Sequence, residues 1–323
     1  MSAPEELPFT DLVLGQDYCD AKLQEPQAIR LVNLQEQHAH WVAKLRGLCS
    51  LQSSNEAEFT VELDHFRFRV TTLEQQGSRV WFLSRIDAQV RPINQLPLPA
   101  EFVRFSLRPQ LQGLILVTGG FGTGKTTTAS SLFCHRIAQL GGTGIALEDP
   151  TGEVQMAGRH GLGRIVQIPV SRSRGGYHAG LQLVRRSRAD YVLVGEIRDA
   201  STAIEAQDIG NTDMPVIATM HASSIEEAFD KYQAYLRKDH ASTEEANARL
   251  AMSICAVVHL SKQFSRASDG STITRFVPRC LILDRTDPSC TAIIGKIRDG
   301  NFIGLNDDIA FQATRRFGMT VPY

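Results

Sequence analysis

Apolar positions along this chain change their period near residue 113. Ahead of that point, after a loop-like start, the stretch NLQEQHAHWVAKLRGLC puts Leu34, Trp41, Val42, Leu45 and Leu48 on one helical face and Glu36, Gln37, His40 and Lys44 elsewhere, which predicts an amphipathic helix. EFTVEL, HFRFRVTTLE and SRVWFLSRI are short alternating runs separated by turn-forming residues, so each predicts an antiparallel strand. Together they predict a small α+β domain over residues 1–103. The proline-punctuated RPINQLPLPAEF suits neither period and marks the interdomain break, with the linker drawn at residues 104–112.

From Gly113 onward the pattern is that of an α/β domain. GLILVTG, GTGIALED, ADYVLVGE and MPVIATMH read as buried strands, and KTTTASSLFCHRIAQL as a helix. The alternation predicts a parallel-rich sheet covered by helices over residues 113–323, with a helical C-terminal part, and it puts any ligand beyond the carboxyl ends of the strands. No internal repeat or low-complexity tract interrupts it.

Composition narrows the class without naming a function. With 323 residues, 42% hydrophobic and 21% charged, the chain has the makeup of an ordinary globular protein of one large or two moderate cores. Its formal net charge of −1 supplies no overall field toward nucleic acid or an anionic membrane. Cys19, Cys49, Cys134, Cys255, Cys280 and Cys290 are scattered, without a C-x-x-C pair or zinc spacing, and read as reduced cysteines of a cytosolic protein. His38 and His40 point in different directions on a helix, so no metal site is expected there. The start MSAPEELPFTDLVL lacks the basic-then-apolar order of a signal peptide, and LAMSICAVVHL falls well short of the roughly 20 residues that a spanning helix needs. Any membrane is expected to be met through a partner.

The chemistry concentrates at predicted strand ends. GGFGTGKTTT matches G-x-x-x-x-G-K-[ST] at Gly119, Gly124, Lys125 and Thr126, after a strand and before a helix as the motif requires. Glycines there, Gly120 and Gly122 included, let the backbone N–H groups of a loop running through Thr123 and Thr127 approach phosphate where a Cβ would obstruct. In such a loop Lys125 supplies an ammonium to the β and γ phosphates of ATP, the Thr126 hydroxyl ligates Mg²⁺, and the helix turns its positive end to the anion. IALEDPTGE closes a strand with Glu148 and Asp149, and YVLVGEIRD places Glu196 after another. One of these carboxylates is expected to order the Mg²⁺ waters and the other to activate water, with the assignment open between Glu148 and Glu196. VIATMHASS delivers His221 to the same end of the sheet, where a neutral imidazole can sense bound phosphate rather than act as base.

Taken in order, GGFGTGKTTT, ALEDPTGEV, YVLVGEIRDA and VIATMHASS resemble the Walker A, Asp box, Walker B and His box of the secretion and pilus ATPases, the PilT/GspE superfamily. The resemblance implies a cytoplasmic homohexamer, peripheral to the inner membrane, in which a PAS-like N-terminal domain is joined to a RecA-like ATPase domain. Its relative rotation would work a type IV pilus, secretion or conjugation machine through platform or channel proteins. The resemblance assigns arginines of RFRVTT and GSRVWFLSR to the nucleotide, with Arg69 and Arg79 matching best and Arg85 after them, and Arg186 to the position shortly before Walker B. Arg198 is left between an ion pair within the Walker B turn and a phosphate contact.

The sequence also departs from the family pattern. RRSRAD stands where LR-x-DPD is common, and Met214 of TDM occupies the place of a first histidine. AIIGKIRDG resembles the AIRNLIRE element of retraction-type members, and no tetracysteine element is present, which disfavours an extension motor. The leading expectation is an ATP-hydrolysing motor; the alternatives are a nucleotide-gated scaffold with little hydrolysis and, last, a nucleic-acid motor resting on the basic run SRSRGGYH. Direct nucleic-acid binding is not expected.

Overall fold

A computed structural model of the protein describes residues 4, 9–24, 28–53, 57–86, 89–149, 154–170, 175–212, 214–238, 242–266 and 272–318, the side chains of 264–266 and 272–274 excepted. The chain divides into two compact units. One takes residues 1–89 with 150–155 and 266–272; the other takes 90–149, 156–265 and 273–323.

In the first unit six strands form one antiparallel sheet: β1 (Asp11–Leu14), β2 (Cys19–Gln24), β3 (Ile29–Asn33), β4 (Glu58–Leu63), β5 (Phe66–Gln75) and β6 (Ser78–Arg85), ordered β3-β2-β1-β6-β5-β4. The helix α1 (Ala39–Gln52) buries Trp41, Val42, Leu45 and Cys49, and Trp41 meets Phe66 and Phe68 edge-on with ring centroids 5.7 and 6.2 Å apart. Aromatic rings in that arrangement add to the burial they share. The loop-like start is corrected here, since β1 to β3 build half of the sheet. Leu34 is fully buried but precedes the helix instead of opening it.

The second unit carries an eight-stranded sheet: β7 (Leu114–Gly119), β8 (Gly142–Glu148), β9 (Gly158–His160), β10 (Gly163–Pro169), β11 (Tyr191–Val194), β12 (Val216–His221), β13 (Ile254–Arg266) and β14 (Thr272–Ile282), ordered β14-β13-β7-β12-β11-β8-β10-β9. From β13 through β10 every neighbour is parallel, and β9 closes one edge antiparallel. β7 is buried at all six positions, as the continuous apolar run LILVTG demands of a central parallel strand. Between the strands run α2 (Ala100–Ser106), α3 (Lys125–Leu140), α4 (Gly176–Ser187), α5 (Ala200–Gly210), α6 (Ile225–Leu236) and α7 (Thr243–Ser253), with α8 (Thr291–Arg298) and α9 (Leu305–Arg315) at the end. The C-terminal part is therefore helical apart from β13 and β14, and LAMSICAVVHL splits between α7 and β13. Among the described residues no helix is long and apolar enough to cross a membrane.

The unit boundary falls at 89/90, and residues 104–112 are not a free linker. Phe102, Phe105 and Leu111 are buried in the second unit. Arg136, on α3, donates to the carbonyls of Ser106 and Arg108, and the Ser131 hydroxyl donates to the Arg91 carbonyl at 2.6 Å. Prolines broke the periodicity that would have revealed this packed segment.

Candidate functional site

Parallel register brings the predicted residues to one edge. Gly119 is level with His221 on β12 and with Leu260 on β13, while Val194 on β11 is level with Ala218 on β12 and Leu147 on β8. Glu148, Glu196, His221 and the glycine loop thus leave the sheet at the same end.

The loop is shaped for an anion. Gly119 lies at φ +150°, and a Cβ there would come within 2.5 Å of the Leu260 carbonyl oxygen and of Thr123 Oγ1. Gly124, at φ +90°, opens α3 without a side-chain cap, which leaves the helix's first N–H groups for a ligand. Thr123 Oγ1 donates to the Gly120 carbonyl at 3.0 Å, and half-buried Thr126 and Thr127 occupy the first turn of α3.

Lys125 is buried beneath this loop. Its Nζ donates to the Gly120 carbonyl at 2.7 Å and stands 3.3 Å from His221 Nδ1. On the other side of the ring, His221 Nε2 lies 3.3 Å from Glu196 Oε1. An ammonium can only donate and a carboxylate can only accept, so Nδ1 is the acceptor and Nε2 carries the proton. Enclosure and the Lys125 charge hold the imidazole below the ordinary histidine range, against the opposing pull of Glu196. Phe121 lays its exposed ring over the imidazole, centroids 4.2 Å apart.

Two helix starts hold these groups in place. Glu196 Oε2 accepts from Arg198 Nε at 2.6 Å, which decides Arg198 as the ion-pair partner within the turn. Immediately after it, Asp199 caps α5 by accepting from the Thr202 N–H at 2.8 Å. The Ile197 N–H donates to the Thr219 carbonyl at 2.8 Å, locking the turn to β12. After His221, Ser224 caps α6 through the Glu227 N–H at 3.1 Å, and Lys231 donates to the His221 carbonyl at 3.1 Å. Each cap ends a loop within a few residues of a functional side chain, so little freedom is left.

Glu148 is buried at the end of β8 and accepts from the Gln167 amide on β10. The neighbouring Asp149 N–H donates to the Tyr177 hydroxyl at 3.0 Å, and burial raises that hydroxyl's pKa above its usual value. Pro150 and residues 151–153 of the acidic stretch, 171–174 of the basic run and Asp213 lie outside the described residues. Among the described residues no cluster of three His, Cys, Asp or Glu could hold a metal alone. Mg²⁺ fits this donor set only with phosphate oxygens and water completing its shell, as is usual for that ion.

Two expected residues of the second unit lie away from this end of the sheet. Arg186 is exposed in the last turn of α4, just before β11 begins, and so sits at the opposite edge of the sheet from the loop. Met214 packs against the apolar core. In the first unit, Arg69 pairs across the sheet with Thr60 and Ser84, and Arg79 with Glu74. Register makes these opposite faces: Arg79 shares the face of Phe68 and Val70, against which α1 packs, and donates to Ser53 Oγ at 3.0 Å. The Arg85 guanidinium stacks over Phe66 at 4.7 Å and Phe9 at 5.7 Å. Sequence reasoning missed Gln167, because β10 was not foreseen, and Phe121, which lay inside the glycine motif at a position the motif leaves open.

Residues 56–278 match the family described as Type II/IV secretion system protein. The type IV pilus ATPase PilU of Pseudomonas aeruginosa is 26% identical over 165 residues, 51% of this chain and 42% of PilU. The type IV pilus retraction ATPase PilT of the same organism is 29% identical over 177 residues, 54% of this chain and 50% of PilT. The chain thus spans half or less of these relatives' length. The crystal structure of the pilus retraction motor PilT with bound ADP shares the fold at a TM-score of 0.75, with 21% identity over 95% of this chain and 87% of that one. The matched span takes in the strands of Arg69 and Arg79 together with the glycine loop, both acids and His221, and the chain belongs to the type II/IV secretion system protein family, within the PilT/GspE superfamily of secretion and pilus ATPases.

Proposed function

We propose that the chain is a homohexameric cytoplasmic ATPase, peripheral to the inner membrane. It moves a PAS-like N-terminal unit against a RecA-like unit to drive a type IV pilus or a type IV secretion or conjugation machine. Inner-membrane platform or channel proteins receive the force. The observation that carries this reading is the chain of contacts from Lys125 through His221 to Glu196 behind a loop whose Gly119 leaves no room for a side chain. The AIIGKIRDG segment, which includes most of α8, supports the retraction side of the family.

In this reading Gly119 to Thr127 bind the phosphates of ATP, and Lys125 turns its ammonium to them. Mg²⁺, when bound, neutralises phosphate charge; Thr126 would hold it directly and Glu196 through water. Glu148, enclosed and oriented by Gln167, takes the proton of the attacking water. His221 reports the phosphate's presence to Glu196. Arg69, and in the family pattern Arg79, would bring guanidinium groups to the nucleotide as the units close.

Steady-state phosphate release by purified chain tests the reading. Sustained turnover that disappears in Lys125→Ala supports it. A variant as active as the wild type ends it, and binding without turnover leaves the nucleotide-gated scaffold. Sizing with ATP and Mg²⁺ should give a hexamer; a monomer alone would count against a ring motor.

A further inference from the structure

We propose that Lys262 is a second phosphate-facing cation of the nucleotide site, reaching the glycine loop from β13. This rests on the ATP reading above. β13 flanks β7 on the side away from β12, and its pairing with β7 runs up to Leu260, level with Gly119. The strand then continues past the sheet's carboxyl edge, where Ser261 Oγ donates to the Val277 carbonyl at 3.2 Å and ties the extension to β14. Lys262 follows.

The Lys262 ammonium comes so close to the loop that a Cβ on Gly122, at φ +64°, would lie 3.1 Å from it. The ring of Phe276 stands 5.8 Å from Nζ and supports that placement from β14. Among the described residues Lys262 has no carboxylate partner, whereas Lys231 pairs with Glu227 at 2.6 Å and Lys296 with Asp308 at 2.7 Å. An ammonium unpaired with any described carboxylate therefore stands against backbone built to receive an anion. Lys125 Nζ is engaged with the Gly120 carbonyl and His221. Lys262 is then the cation that an arriving phosphate chain meets at the loop tip, and it draws on the charge of the phosphates rather than on the base.

Titration of the 323-residue chain with a fluorescent N-methylanthraniloyl-ATP tests this, using wild type, Lys262→Ala, Lys262→Arg and Lys125→Ala. Lys262→Ala should bind roughly fivefold more weakly at low salt, a loss that shrinks as salt screens an exposed charge. Lys262→Arg should keep most of the affinity, and the corresponding AMP probe should lose less than the ATP probe. Wild-type affinity in Lys262→Ala, with Lys125→Ala still impaired, overturns the proposal while leaving the ATP reading intact. A loss equal at low and high salt also overturns it, since that would mark a packing role. If the wild type binds no nucleotide, the ATP reading fails and this inference with it.

Discussion

Lys125 Nζ and His221 Nδ1 stand 3.3 Å apart, and the far nitrogen of the same imidazole lies 3.3 Å from Glu196. The ammonium of the glycine loop thus has a resting place inside the protein, between a neutral ring and the Gly120 carbonyl. Both are uncharged acceptors. On the proposed reading, an anionic phosphate binds the ammonium more strongly than either of these two, so nucleotide entry would draw Lys125 away from Nδ1. The imidazole would then keep its Glu196 contact, and in that reading its orientation would report whether the site is full.

That arrangement separates binding from turnover. His221→Ala should bind ATP at least as tightly as the wild type, because Lys125 loses a competing partner, while turnover falls roughly 10²-fold for want of the positioned ring. Nucleotide titration beside steady-state phosphate release checks both halves. A variant weakened in binding but normal in turnover would assign His221 to the phosphate cradle instead.

A second histidine predicts a dependence of stability on pH. His259 is buried on β13 with Thr118 Oγ1 3.1 Å from its Nδ1. Burial, then the charge of Arg279 and more weakly that of Lys125, lower its pKa from 6.5, with Glu226 and Glu227 opposing. In the unfolded chain it titrates near 6.5, so below that pH the unfolded state binds the proton more readily and the native state loses ground. The wild type should therefore lose melting temperature on going from pH 7.5 to 5.5 more steeply than His259→Gln, which keeps a hydrogen-bonding side chain near Thr118 and cannot titrate. Parallel curves for the two proteins would show that His259 carries none of the dependence.

The site was more legible in the sequence than the frame around it. β7, β8, β11 and β12 carry continuous apolar runs; Gly119, Glu148 and His221 are the last residues of their strands and Glu196 follows β11 by two, so parallel pairing alone collects them. DLVL, CDAKLQ and IRLVN were not read as strands because DLVL and IRLVN offer only four or five residues, CDAKLQ mixes charged and small residues, and the edge strand β3 is mostly exposed, which removes the alternation a half-buried strand displays. Gln167 and Tyr177 reach the acidic strand end only through tertiary contacts, and no local pattern announces them. Prolines concealed residues 91–112, whose burial depends on what α3 offers them.

The two arginines of the first unit should not behave alike. Arg69 stands on the sheet face that α1 leaves uncovered, and Arg79 on the face where α1 packs, with its guanidinium bonded to Ser53. In the proposed reading both are offered to the nucleotide, but a charge presented from one surface of the sheet would come from only one of them, and Arg69 is the one whose face α1 leaves uncovered. Arg69→Ala should cut turnover about tenfold or more, in the manner of a lost charge-stabilising donor, and Arg79→Ala by less than about twofold. Equal losses would remove the sheet's faces as the deciding feature.

Arg136 offers a test of how the packed segment is held. The residue is 1% exposed and, among the described residues, has no acidic partner; its guanidinium donates to the carbonyls of Ser106 and Arg108 and lies 4.9 Å from the Tyr191 ring centroid. Burial lowers its pKa, so the charge remains only because carbonyl dipoles at the end of α2 and the face of the ring receive it. Arg136→Ala removes the donors, strands buried carbonyls and opens a cavity beside α3, at a cost of about 3 kcal/mol. For a unit of this size that is a melting temperature lower by roughly 6–12 °C in calorimetry. Arg136→Met restores much of the volume and none of the hydrogen bonds, and should fall between the two. If methionine matches the wild type, packing alone holds residues 100–112 on α3 and the buried charge contributes nothing net.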